Sequence, residues 1–311
     1  CPGCGEMVVA GIEHPDYSLL NKWRMRTKMS EPTSVQLGIL DARIEADKLR
    51  TKYANDPRLQ SFRVLVTGEG KTGKTHLLRT ARRPVHIDSF DPGGTLVLRD
   101  LVAKGDVVAD TVYELEDREK PTMFREWCRT FEQRVRGKYF ESIGTYSLDS
   151  STMWADAIMN WVLDAAKIAG KAPRWAHDYV PQKVEIQNWM RRILSLPCDV
   201  VVTGHLDGIY EATVLNRGSR DEETVQVLTG YKYMTTGKGA VIIPLMFDEH
   251  WTTFAEEKGQ GTEYKLLTAK WKLYRAGTRI GRGVFSTFEV PDIKALLKKA
   301  GWPTNDKPKL Y

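Results

Sequence analysis

The pattern of apolar and polar positions changes near residue 62. Before it lie a polar lead, a basic patch (Lys22, Arg24, Arg26, Lys28), a Pro-Thr-Ser break at Pro32 and a helix-like stretch over 34–53. After it, short apolar runs alternate with longer amphipathic stretches, as when strands alternate with helices around a parallel sheet. The runs 62–67, 85–90, 143–149, 199–203 and 241–246 predict strands. Trp154, Ile158, Trp161, Val162 and Ala165 recur at three- and four-residue spacing and predict one helix; Ile186, Trp189, Met190, Ile193 and Leu194 predict another. The tryptophans on these faces read as core packing rather than base-stacking platforms. The pattern predicts one large α/β domain with an N-terminal appendage over 1–60, a main domain over 61–301 and a tail over 302–311.

Composition narrows the class. Of 311 residues, 41% are hydrophobic and 28% charged, a balance that argues against general disorder. No run approaches the roughly 18 apolar residues of a membrane span, and the N-terminus lacks a signal-peptide layout. The chain begins at a cysteine, so a processed or truncated start is expected. Four cysteines do not make a disulfide scaffold, and Cys128 and Cys198 fall in segments that read as buried; a reducing, cytoplasmic setting is expected. The net charge of +6 is uneven: from Lys258 to Lys299 there are ten basic residues against three acidic ones. Such a surface attracts polyanions, nucleic acid first, although a solvated basic face gives the same count.

The strongest motif is Gly68-Glu69-Gly70-Lys71-Thr72-Gly73-Lys74-Thr75, which meets G-x-x-x-x-G-K-[ST] at every fixed position between a strand run and a helical run beginning at His76. Loop N–H groups curl around an anion, Lys74 reaches the β and γ phosphates of ATP, and Thr75 offers its hydroxyl to Mg²⁺. Asp149, closing the third run, is the candidate carboxylate for that magnesium, with Ser150-Ser151-Thr152 supplying the cap of the helix after it; the alternative is that Asp149 is only that cap. Asp91 is the candidate base for an attacking water and Asp88 the alternative, while Asp91-Pro92-Gly93 equally suits a tight turn. His205, ending the fourth run, is a candidate γ-phosphate sensor or a surface histidine.

Together, G-E-G-K-T-G-K-T, H-I-D-S-F-D-P-G-G, S-L-D-S-S-T and L-P-C-D-V-V-V-T-G-H resemble the RecA-like P-loop ATPases of bacteriophages, related to recombinases and single-strand-annealing proteins. The resemblance covers about residues 61–301. It implies a RecA-like core with a mainly parallel central sheet flanked by helices, a C-terminal β-hairpin, and ATP hydrolysis coupled to DNA, single-stranded by preference. It also implies homo-oligomers, ring or filament, with a single-strand-binding protein as a further partner, in the host cytoplasm if the chain is phage-encoded. Lys270 and Arg279, in a cationic segment that reads as a late hairpin, become candidates for a finger reaching a neighbouring subunit's nucleotide. The loop after His205, with Arg217, Arg220, Tyr231, Lys232, Tyr233 and Lys238, becomes the candidate DNA contact, interleaving cations with aromatics. The sequence departs from the family in having Asp where Glu follows the second strand, and residues 1–60 have no counterpart. Cys1-Pro2-Gly3-Cys4 has the shape of half a zinc knuckle, with His14 as a third candidate ligand.

A DNA-dependent ATPase of phage recombination or replication is the first functional expectation. A nucleotide-switched assembly or loading factor, or a helicase or packaging motor, is the alternative.

Overall fold

The computed structural model describes residues 42–175, 177–215, 223–259 and 261–310. The chain divides between Lys52 and Tyr53. N-terminal to that division the described residues belong to the helix Ala42–Ala54, polar on nearly every face, with Arg50 paired to Asp47 at 2.6 Å.

The body is built on one sheet. Its strands are β1 (Arg63–Gly68), β2 (Val85–Ser89), β3 (Val107–Asp110), β4 (Thr145–Asp149), β5 (Asp199–Leu215), β6 (Glu223–Tyr233), β7 (Glu249–Lys258), β8 (Gly261–Leu267), β9 (Gly277–Thr278) and β10 (Phe288–Glu289). The order is β10-β8-β7-β1-β5-β4-β2-β3, with β6 on β5 and β9 on β7. From β7 to β3 every neighbouring pair is parallel; β8, β9, β10 and β6 add antiparallel pairs. The architecture is mixed α/β with a mainly parallel central sheet and flanking helices.

The central strands read as apolar runs because both their faces are covered. Successive side chains alternate: Leu65, Val200 and Val202 enter one core with Trp127, Trp154 and Trp189, whereas Val64, Val66 and Val201 enter the other with Leu77, Trp251 and Leu297. The helices Ser151–Ala165 and Tyr179–Ile193 stand where the spacing predicts them and bury Trp154, Ile158, Trp189 and Met190. The tryptophans at 154 and 189 are core residues.

Three elements differ from the sequence reading. Residues 241–246 are not a strand: the chain forms a helical turn, Gly239–Ile242, then a 3-10 turn at Pro244–Met246, where Pro244 has no N–H to give a ladder. The parallel strand on the side of β1 away from β5 is β7, whose Thr252 and Thr253 interrupt the apolar pattern while keeping β-branched shape. The C-terminal hairpin is β7–β8, earlier than expected. Residues 270–282 instead form a loop, with one bridge between Trp271 and Tyr274 and the short β9 pairing back onto β7.

The tail straps the edge of the sheet where β2, β3 and β4 begin. Lys307 Nζ donates to the carbonyls of Glu141 and Ile143, both at 2.7 Å, Asp306 accepts from Arg83 N at 2.7 Å, and Lys309 pairs with Asp106 at 3.0 Å.

Candidate nucleotide site

The opposite edge, where the parallel strands end, holds the P-loop. β1 ends at Gly68, opposite Thr253 of β7, and a side chain at 68 would lie 2.2 Å from Thr253 Oγ1 and 2.6 Å from Thr72 Oγ1, so glycine is required. Thr72 Oγ1 donates to Glu69 O at 2.9 Å and bonds Thr253 Oγ1 at 2.7 Å, closing the loop on itself and on β7. Gly73 takes φ +92° as the loop turns into Lys74–Leu77. That helix is one turn long and passes straight into a 3-10 turn, so loop N–H groups, more than a helix dipole, form the anion cradle. Glu69, Gly70, Lys71 and His76 are exposed around it.

Lys74 is buried, its Nζ donating to the carbonyls of Glu69 at 2.6 Å and Gly68 at 3.1 Å. Burial lowers its pKa against the attraction of Asp149, Asp91 and Glu69. Thr75 Oγ1 donates to Asp149 Oδ2 at 2.7 Å, and Thr203 Oγ1 donates to Asp149 Oδ1. Burial pushes the Asp149 carboxyl above its ordinary range, against those two hydroxyls. The helix cap is Ser150, whose Oγ accepts from Met153 N at 3.4 Å; this decides against Asp149 as the cap. The Asp149–Ser150 peptide is cis.

Asp91 joins this group. Its Oδ1 accepts from Ser150 Oγ at 2.7 Å, and Oδ2 lies 4.0 Å from His205 Nε2. Gly94 N bonds Asp91 O at 3.0 Å, so the same residue also makes the turn. Burial, with the nearby Lys74 charge, lowers the His205 pKa, and Asp91 opposes the shift. Asp88 is not a base. It is fully buried and accepts from Trp127 Nε1, Tyr146 OH and Arg134 Nη1, each at 2.8 Å, with His86 Nε2 at 2.9 Å. Burial alone would raise its carboxyl; His86 and Arg134 outweigh it and hold the pKa below the usual range.

The remaining candidates separate. Tyr233 is 2% exposed and its hydroxyl donates to Ser151 Oγ at 2.6 Å, so it cannot offer a face to a base. Tyr231 stacks one face on Tyr274, centroids 4.5 Å apart, and Lys232 pairs with Asp207 at 3.1 Å; Lys238, in the segment after β6, is exposed. These residues stand on or beside a long β5–β6 ribbon, not a loop. Arg217, Arg220, Cys1, Cys4 and His14 lie outside the described residues. Arg279 sits at the start of β7, the end of that strand away from the P-loop, with Nη2 donating to Leu245 O at 3.0 Å and Nη1 3.7 Å from Asp248. Lys270 is exposed beside Trp271, whose ring packs on Phe254 at 6.1 Å, near the P-loop end of β7.

Sequence reasoning missed Thr203 and Tyr264 as parts of the site, whereas the helix cap falls at Ser150, within the Ser150-Ser151-Thr152 stretch expected to supply it. Thr203 lies two residues before His205, so it was within reach. Tyr264 comes from β8, far along the chain, and only pairing brings it here: a side chain at Gly73 would meet its ring at 3.3 Å, and Tyr264 is 47% exposed.

The hydroxyl of Thr75 beside a buried carboxylate is a hard-oxygen donor set of the kind Mg²⁺ takes, and Thr75 and Asp149 are the residues that would hold it. Among the described residues no group of three or more His, Cys, Asp or Glu could hold a metal ion, and no helix is long and apolar enough to cross a membrane.

A P-loop strand, a strand between it and the acid-bearing β4, and a lysine–threonine–aspartate cluster at their common edge define a P-loop nucleotide-binding domain of the RecA-like type. Residues 60–280 match the family described as AAA domain, and the chain belongs to that family. No curated protein matches it in sequence. Similar solved structures include a KaiC-like protein from Pyrococcus horikoshii (11% identity over 66% of this chain and 77% of that one, TM-score 0.34). Another is the flagellar accessory protein FlaH from Methanocaldococcus jannaschii (15% identity, 73% and 83%, TM-score 0.37). At these scores the overlaps are too loose to bear on this chain's activity.

Proposed function

We propose that the chain binds ATP·Mg²⁺ at Gly68–Thr75 and hydrolyses it in a cycle coupled to single-stranded DNA, in the service of phage recombination or replication. The observation that carries the nucleotide reading is the convergence of Lys74, Thr75, Asp149, Asp91 and His205 at one sheet edge. Lys74 holds the β and γ phosphates, and the exposed ring of Tyr264 gives the base a face beside Gly73. Asp91, held by Ser150, takes the proton of a water whose oxygen attacks the γ phosphorus. The bond to the β-phosphate oxygen breaks, releasing ADP and phosphate. A bound magnesium ion would neutralise charge on the phosphate oxygens. The chain works as a homo-oligomer in which Lys270 or Arg279 of one copy reaches the nucleotide of the next.

The coupling runs through hydrogen bonds: Asp149 to Thr203, Thr203 O to Ser151, Ser151 to Tyr233, and so to the β5–β6 ribbon. Turnover measured with and without single-stranded DNA tests the reading. DNA stimulation is expected; a rate unchanged by DNA removes the DNA-dependent reading and leaves the ATPase. One observation favours a nucleotide-switched assembly factor: the described part of the ribbon carries Asp207 and Glu211 against Lys232, and exposes Tyr210, Val214 and Val227, a surface suited to a protein partner. DNA-independent turnover with nucleotide-dependent protein capture would select it.

A further inference from the structure

Among the described residues of the ribbon, Tyr233 is buried, Tyr231 is stacked and Lys232 is paired, which leaves them little to offer DNA. A better surface lies in the connection between the helices Ser151–Ala165 and Tyr179–Ile193. Gln182 Nε2 donates to Ala155 O at 2.7 Å, so the second helix starts beside the start of the first and the connection climbs back to the nucleotide edge of the sheet. Thr236 Oγ1 donates to Gln182 Oε1 at 2.5 Å, tying it to the segment after β6.

On this connection Trp175 is 86% exposed, with the Tyr179 ring 5.6 Å away. It is held out rather than loose. Arg174 N donates to Asp178 Oδ2 at 2.6 Å and its guanidinium to Asp178 Oδ1 at 2.8 Å, Gly170 N bonds Arg118 O at 3.1 Å, and His177 N bonds Trp175 O at 2.8 Å. From 167 to 183 the cations are Lys167, Lys171, Arg174 and Lys183, and the one carboxylate, Asp178, is buried under Arg174. Glu119 packs on Gly170 from outside the segment.

We propose that this connection is a single-stranded nucleic-acid contact, with a base stacked on Trp175 and phosphates on Lys167, Lys171 and Lys183. An exposed aromatic face on a segment with four cations to one carboxylate matches what a single strand presents, bases with π-faces along a line of negative charge. The proposal rests on the DNA reading above, and its test separates the two.

Binding of a fluorescent oligodeoxythymidylate to the full chain is measured across salt, with turnover in the absence of DNA as the control. Trp175→Ala should weaken binding about 5- to 150-fold with the salt slope kept, and Trp175→Phe should recover most of it. Lys167→Ala with Lys171→Ala should flatten the slope of log K against log salt by about 0.7 per contact. DNA-free turnover should be unchanged in all three. If the native chain binds the oligonucleotide and Trp175→Ala binds equally well, the contact lies elsewhere and the DNA reading stands. If the native chain binds none at moderate salt, both fail. Trp175-dependent binding to phosphatidylserine vesicles, without oligonucleotide binding, would assign the surface to a lipid instead.

Discussion

At the scale of single residues the site is defined by groups held against their solvation preference. Lys74 is buried at the open phosphate loop, where three carboxylates oppose the lowering of its pKa by burial, and Lys74→Ala should lower ATP turnover by about 10²- to 10³-fold while circular dichroism and the thermal midpoint stay near those of the native chain. Asp149 carries a sign that can be checked. Burial raises its folded pKa above the unfolded value of about 3.9, so its favourable contribution is complete below that value and lost as pH rises through the folded one. Asp149→Asn removes this titration. Without nucleotide the variant should be the more stable at pH 7 in urea unfolding, and its advantage should shrink toward pH 4; an advantage that does not vary with pH counts against a strained carboxylate. Tyr264→Ala should raise the KM for ATP while leaving the affinity for inorganic tripolyphosphate nearly unchanged, because the phosphates do not use the ring.

At the scale of elements, the end of β2 shows two aspartates three residues apart with separate tasks. Asp88 faces inward, where Trp127 and Arg134 of the helix Met123–Arg136 and Tyr146 of β4 all donate to it, locking that helix to the sheet. Removing one partner of such a buried charged network leaves the others unpaired, so Asp88→Ala should cost about 3–5 kcal/mol in urea unfolding. Asp91, past the strand end, should behave oppositely, with stability nearly unchanged and turnover down about 10²- to 10⁴-fold for Asp91→Ala. The sequence places both at the edge but does not separate them. Alternation along β2 puts Asp88 on one face, and only the helix packed there makes that face a polar interior.

At the scale of the whole molecule, nucleotide chemistry sits at one edge of the sheet and the tail fastens the other. Deleting residues 303–311 removes the Lys307, Asp306 and Lys309 anchors and should cost about 1–3 kcal/mol of stability, read as a lower urea midpoint, with ATP affinity unchanged because the strap and the P-loop lie at opposite strand ends. Loss of ATP affinity would mean that the two edges are coupled through the strands.

What the sequence determined by itself was local. The P-loop is a contiguous motif whose glycines and Lys74-Thr75 have meaning at fixed spacing, and β1 and the first half of β5, which lead to the P-loop and to His205, are apolar runs because both their faces are covered. Tertiary structure decided what depends on pairing across the chain. It brought Thr203 of β5 and Thr75 of the helix after the P-loop together as the two hydroxyls on Asp149. It buried Tyr233, a DNA-contact candidate in the sequence, and left Trp175 in solvent. The physical reason is the same in each case: a side chain's periodicity shows which face it shares, whereas its exposure and partners depend on which distant element covers that face.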